Sequence, residues 1–189
     1  MGSEMKTTDE TITLSRFDFE DTLIYAERFE IFFAKKPSEI YPIINKYMTQ
    51  LSLNAVDVIM RDINQRLQYC EEWNIDINDC WKKLYTDLYF LGDSNELIDM
   101  FILSYEEFKA IIINAMRYAI GRMTYAPHTV CGIVNEHIKY LSNNTLEVIK
   151  QDIEEHMENN NLGNPSIDAP AWKKTYNNIK EELSRRMIK

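Results

Sequence analysis

Pro37–Ile63 reads PSEIYPIINKYMTQLSLNAVDVIMRDI, and Pro127–Ile153 reads PHTVCGIVNEHIKYLSNNTLEVIKQDI. The second stretch repeats the first at an offset of 90 residues without a gap. Identical residues fall at Pro37/Pro127, Ile43/Ile133, Asn45/Asn135, Leu51/Leu141, Ser52/Ser142, Asn54/Asn144, Val58/Val148, Ile59/Ile149, Asp62/Asp152 and Ile63/Ile153. One residue out of that register, Trp81-Lys82-Lys83-Leu84-Tyr85 returns as Trp172-Lys173-Lys174-Thr175-Tyr176. A repeat separates the residues that a fold needs twice from those that one copy uses alone.

The apolar spacing in both copies is helical. Ile40, Ile43, Ile44, Tyr47, Met48 and Leu51 recur at i, i+3, i+4, i+7, i+8 and i+11, matched by Val130, Ile133, Val134, His137, Ile138 and Leu141. Such spacing lays one apolar stripe along a helix. Pro37 and Pro127 suit the first turn, where a missing N–H costs nothing. Ser52-Leu53-Asn54 and Ser142-Asn143-Asn144 read as turns, with Asn54 and Asn144 as N-caps of helices burying Val56, Ile59, Ile63 and Leu67, and Leu146, Ile149, Ile153 and Met157. A tryptophan-bearing helix closes each copy, with Trp81 and Trp172 as core plugs. A leading helix opens each: about Asp18–Lys35 in the first, uncertain in register by one residue, and a capping box at Ser104–Glu107 in the second. That second leading helix carries Phe108, Ile112, Ala115, Met116, Ala119, Ile120 and Met123.

The expected architecture is therefore an all-α helical bundle built by internal duplication, two units of about four helices each. Residues 1–17 read as a tag scar (Met1–Glu4) and a flexible N-terminus, 18–91 as the first unit, 92–103 as a connector, and 104–189 as the second unit. Leu91–Ser104 is expected to hold a short helix of its own, and no strand signal is read anywhere. Five Gly and five Pro favour long elements. No apolar run approaches a membrane span, and no apolar segment at the N-terminus suggests secretion. The three cysteines, Cys70, Cys80 and Cys131, lack CxxC spacing and read as reduced thiols. His128, His137 and His156 have no metal-ligand spacing, so neither metal nor cofactor is expected. A net charge of −9 argues against a phosphate-binding footprint, which makes direct nucleic-acid binding an unlikely role. Solubility explains the charge; docking on a basic partner is the sharper reading.

Asp62 and Asp152 stand among apolar helix positions, where a buried carboxylate needs a partner. The leading helices offer Arg28 and Arg117. Copy two carries one feature that copy one lacks: Asn114, Arg117, Tyr118, Gly121, Arg122 and Tyr125 recur at i, i+3, i+4, i+7, i+8 and i+11. Two guanidiniums, two phenols and a small residue suit an anion or a planar group, and these six are the candidate binding residues. The competing structural reading has Arg117 pairing with Asp152 and Gly121 permitting close helix packing. His137, in the apolar stripe at the place of Tyr47, reads as a core-edge histidine.

The string Arg117–Tyr125, RYAIGRMTY, is followed by a proline-opened helix, an LS turn and an IxxDI helix. It resembles small, mostly uncharacterised proteins of phages and other mobile elements of Firmicutes-type bacteria, which carry an RYALGR-like string. The resemblance covers about Phe108–Tyr176. It implies a cytoplasmic accessory protein of an infected or lysogenic cell, of the kind that inhibits a host defence by binding. The copy-one half departs from the motif.

Arg122 and His128, with five residues between them, also look like the Rx4–6H motif of helical HEPN ribonucleases. Met123 after the arginine and the intervening Pro127 depart from that pattern. The reading the sequence favours is a protein that binds and does not catalyse, docking on a host defence protein or holding a small anionic ligand.

Overall fold

The computed structural model describes residues 11–33, 38–76, 79–91, 98–122, 127–159 and 169–188; for 121, 122, 127, 128, 156–159, 169 and 170 it describes the backbone alone. The architecture is all-α. Of the described residues, 80% are helical, in eight α-helices, with one small two-stranded sheet. In order, these are β1 (Thr11–Ser15), α1 (Arg16–Phe33), α2 (Tyr41–Tyr47) with a 3-10 turn (Met48–Gln50), α3 (Leu53–Glu72) and α4 (Asp79–Tyr89). Then follow β2 (Met100–Ser104), α5 (Tyr105–Arg122), α6 (Pro127–His137), α7 (Asn143–Asn159) and α8 (Ala169–Met187). The order strand, then four helices, occurs twice.

The strands correct the sequence reading. Thr11–Ser15 was expected within a flexible N-terminus, and Met100–Ser104 within a connector holding a short helix. They pair antiparallel, with Thr13 opposite Ile102 and Thr11 opposite Ser104. Ile12, Leu14, Phe101 and Leu103 point inward, while Thr11, Thr13, Met100 and Ile102 face out. That alternation is the period-two pattern of a half-buried strand. Phe101 stacks on Phe19 at 4.1 Å, and Tyr47 meets both rings edge-on at 5.3 and 5.7 Å. The Tyr47 hydroxyl donates to the Ile102 carbonyl at 3.0 Å, so the sheet is bolted to the core.

α1 and α5 are each 18 residues long, and each follows directly from a strand. Ser15 caps α1, its hydroxyl donating to Asp18 Oδ2 at 2.6 Å and accepting from the Asp18 amide at 3.2 Å. The expected capping box forms at α5: Glu107 Oε2 accepts from the Ser104 amide at 2.9 Å, and Ser104 Oγ from the Glu107 amide at 3.3 Å. These matching ends fit the shifted leading-helix register. Ser15 answers Ser104, Phe19 answers Phe108 and Arg28 answers Arg117, one residue short of the offset that relates Ser52 to Ser142. α1 and α5 make the most extensive helix contact of the molecule. α3 packs on α1 and α4, α7 on α5 and α8, and α6 on α5, α8 and α1.

The stripes bury as expected. Ile40, Ile43, Ile44, Tyr47 and Leu51 join Val130, Ile133, Val134 and Leu141 in one core with Trp81 and Trp172. Three helix starts differ from expectation. α3 and α7 are capped by Ser52 and Ser142, whose hydroxyls accept from the Ala55 amide at 3.2 Å and the Thr145 amide at 3.1 Å. Asn54 and Asn144 therefore sit in the first turn as exposed residues and are not the caps. α2 begins at Tyr41, while Pro37 lies outside the described residues. The reason is Glu30, whose carboxylate accepts from the Ser38 hydroxyl, the Glu39 amide at 2.8 Å and the Ile40 amide at 3.2 Å. A carboxylate on these otherwise orphaned N–H groups favours the helix start that follows them.

Candidate functional site

α5 lies against α1, α6 and α7, so few of its faces reach solvent. That placement decides the fate of the polar-aromatic stripe. Asn114 is buried, 7% exposed, and its Nδ2 donates to the Ala110 carbonyl of the preceding turn at 2.9 Å. Arg117 Nε donates to Asp152 Oδ2 of α7 at 2.8 Å. Tyr118 stacks on Tyr25 of α1, with centroids 5.8 Å apart and planes 23° from parallel. Gly121 and Arg122 close α5, with their side chains outside the described residues, and Tyr125 lies outside them entirely. The three stripe residues that are described are thus brought together as packing, each with a partner inside the molecule. His128 of the ribonuclease motif also has its side chain outside the described residues.

The same clamp recurs in the first unit. Arg28 Nε donates to Asp62 Oδ2 of α3 at 2.5 Å, and Asp62 is only 6% exposed. Each unit thereby ties its leading helix to its serine-capped helix through a charge-assisted hydrogen bond, as the two aspartates among isoleucines had suggested. A second tie joins the same helices by different chemistry. The Ser52 amide and hydroxyl donate to Glu20 of α1 at 2.6 and 2.8 Å. The Ser142 amide donates to the Tyr105 hydroxyl of α5 at 2.9 Å, and that hydroxyl also meets Thr145 Oγ1 at 3.0 Å. His137 sits at the core edge, its Nδ1 bonded to the Ile133 carbonyl at 3.0 Å and its ring 5.3 Å from Phe108.

Glu27 escaped the sequence reading. It is 0% exposed on α1, and neither carboxylate oxygen has a hydrogen-bond partner among the described residues. Burial pushes its pKa well above the usual carboxylate range, and the nearby Asp62 adds to the rise while Arg28 opposes it. Glu30, one turn on, is also raised by burial, with the bonds from Ser38, Glu39 and Ile40 holding it down. The only sequence signal for Glu27 lies in the corrected register, which sets it against Met116 of α5. Cys70 and Cys131 are buried and Cys80 is half-buried. Among the described residues, no group of three or more His, Cys, Asp and Glu side chains could hold a metal ion, and no described helix is long and apolar enough to cross a membrane.

The chain matches no protein-family model, no curated protein and no solved structure.

Proposed function

We propose that this chain is a non-catalytic binding protein, an accessory protein of a phage or other mobile element that inhibits a bacterial defence factor in the host cytoplasm by docking on it. The observation that carries docking over the holding of a small anion is the fate of Arg117. Its Nε is committed to Asp152 at 2.8 Å, so one of the two guanidiniums expected to hold an anion serves the fold instead. The chain descends from a duplicated unit. Support for this comes from the repeated element order, the two 18-residue leading helices and the Arg–Asp tie made once in each unit. Residues present in both copies serve assembly, and the work of the protein falls to residues that one copy has alone.

The test is co-expression. Bacteria carrying a defined defence system are challenged with a phage which that system restricts, with and without the protein. Restored plating, together with co-purification of one defence component, is the expected result. Unchanged plating across a panel of systems overturns the anti-defence reading. A nucleotide released from the purified protein on heating favours the anion-holding alternative, in which Arg122→Ala abolishes the ligand. RNA cleavage lost in both Arg122→Ala and His128→Ala favours the ribonuclease alternative.

A further inference from the structure

α3 ends in a turn that leaves large side chains in solvent. Asn74 adopts a left-handed backbone, φ 50°, and the Ile75 amide reaches back to the Cys70 carbonyl at 2.8 Å while the Asn74 amide bonds the Glu71 carbonyl at 3.3 Å. This pattern satisfies the last carbonyls of the helix and turns the chain sharply away. Beside the turn, Trp73 is 66% exposed, Tyr69 45% and Ile75 43%. A cleft of about 360 Å³ opens there, lined by Leu67, Cys70, Glu71, Ile75, Asp76 and Lys82.

The charges around the cleft are unevenly used. Lys82 is paired with Asp79 at 3.1 Å, whereas Glu71, Glu72 and Asp76 have no ion pair among the described residues. Arg66 already lies 5.3 Å from the Tyr69 ring centre, and Tyr69 in turn packs 6.2 Å from Trp73. No cation stands over the indole of Trp73 among the described residues. The second copy has no counterpart. At the offset that aligns the serine caps, Tyr69, Trp73 and Ile75 become Asn159, Gly163 and Pro165. The fold therefore does not require these aromatics, and an exposed tryptophan next to a cleft with both apolar and charged walls is what interfaces use as an anchor.

We infer that the α3–α4 corner is a docking surface for a basic segment of a partner protein, one that presents a lysine or arginine next to an aliphatic side chain. The aliphatic group fills the cleft against Leu67 and Ile75, and the cation lies over the Trp73 ring between Glu71 and Asp76. A cation on an indole face gains from the ring quadrupole, and unpaired carboxylates at the rim steer and orient it. The net charge of −9 favours the same approach. This inference rests on the docking role proposed above and names its surface and chemistry.

The probe is a short synthetic peptide of alternating arginine and leucine, titrated against the full chain at physiological salt. Trp73 is the exposed tryptophan, while Trp81 and Trp172 are each 4% exposed, so intrinsic fluorescence reports on the site. Saturable binding is expected, weakened at least tenfold in Glu71→Gln/Asp76→Asn and in Trp73→Ala read by calorimetry. The control Glu136→Gln/Glu181→Gln removes equal charge from exposed positions on α6 and α8 and leaves the affinity unchanged. Equal weakening in that control means diffuse electrostatics and overturns the proposal. So does equally tight binding of a glutamate–leucine peptide, or self-association of the wild type that Trp73→Ala abolishes. Failure here is distinguishable from failure of the docking role. A host partner held equally well by Trp73→Ala and Glu71→Gln/Asp76→Asn removes this surface alone, whereas peptide binding in a protein that protects no phage removes the anti-defence role alone.

Discussion

Replacing Glu27 with methionine should stabilise the protein. The perturbation restores at position 27 the residue that α5 carries at the equivalent place, Met116, which is 0% exposed in the same core. Glu27 is itself 0% exposed with both oxygens unpartnered among the described residues. A buried polar group left unsatisfied costs about 1–3 kcal/mol, and an unbranched apolar side chain of similar length removes that cost. Taking about 2 kcal/mol, and about 2–4 °C per kcal/mol for a chain of this size, Glu27→Met should melt about 4–8 °C above the wild type at neutral pH. The pH dependence follows from the raised pKa, caused first by burial and then by Asp62. Unfolded, Glu27 ionises near its ordinary value of 4.5; folded, it stays protonated to higher pH. The folded state thus binds more protons between those two values, and wild-type stability falls as pH rises through that window. Below it the group carries no ionisation penalty. Glu27→Gln removes the titration and keeps the polar orphan. Its advantage over the wild type should be near zero at the acid end and grow as pH rises, while Glu27→Met should lead at every pH. Subtracting the wild-type curve from each variant removes the parallel contributions of Glu30 and Asp21, whose pKa values burial also raises. Guanidinium unfolding from pH 4 to 8 measures this. A Glu27→Met protein no more stable than the wild type throughout would refute the reasoning, because the carboxyl would then have a partner that offsets its burial.

The two Arg–Asp ties should differ in weight. In the first unit the Arg28 and Asp62 side chains are 25% and 9% exposed, and in the second Arg117 and Asp152 are 39% and 22% exposed. Asp62→Ala should cost about 3 kcal/mol, the lower end for breaking a buried pair, and Asp152→Ala about 1 kcal/mol, the upper end for a surface pair; equal shifts in urea midpoint would contradict the burial argument. Ser52→Ala and Ser142→Ala should each lose about 1 kcal/mol as broken N-caps, whereas Asn54→Ala and Asn144→Ala should stay within about 0.5 kcal/mol. Thermal melts of the four variants check this, and a larger loss from either asparagine would restore it as the cap.

The helices were legible because the 3.6-residue stripes run long enough to leave one choice of face. Ile40 through Leu51 and Val130 through Leu141 are buried much as their spacing required. The strands were not legible for a physical reason. TITLS does alternate, but five residues next to an N-terminus can equally be a tail, and MFILS is a continuous apolar run with no period. Each becomes a strand only through the other, and a pairing between Thr13 and Ile102 is not written into either local pattern. The leading-helix register was left open by one residue for a simpler reason. Ser104 to Ser142 is one residue longer than Ser15 to Ser52, so a gapless alignment set Glu27 against Arg117; the one-residue shift that the sequence left open sets Arg28 against Arg117, and only the match of Glu27 with Met116 went unread.

The candidate site was harder to read than the fold because helical spacing reports a face and not what covers it. Asn114, Arg117 and Tyr118 do share a side of α5, but α1, α6 and α7 pack on that helix; Asn114 is buried, and Arg117 and Tyr118, half-buried, are engaged by Asp152 and Tyr25. The aspartates were legible because a carboxylate repeated among isoleucines in both copies asks for a cation, and the leading helix supplies one in each. That contrast bears on function. Residues shared by the two units, such as Ser52/Ser142, Asp62/Asp152 and Trp81/Trp172, are taken up by caps, ion pairs and core. Where the units solve one task differently, as Glu20 and Tyr105 do in holding the serine turns, the fold tolerates either chemistry. Trp73 answers to neither description. It has no aromatic counterpart in the second unit, it fills no gap in the core, and it stands 66% exposed at the end of α3, next in sequence to residues that line a cleft with Glu71 and Asp76. An indole left in water gains little for the folded chain alone. Its free energy is still to be gained by covering it, which is why the docking surface proposed for this chain lies at the α3–α4 corner.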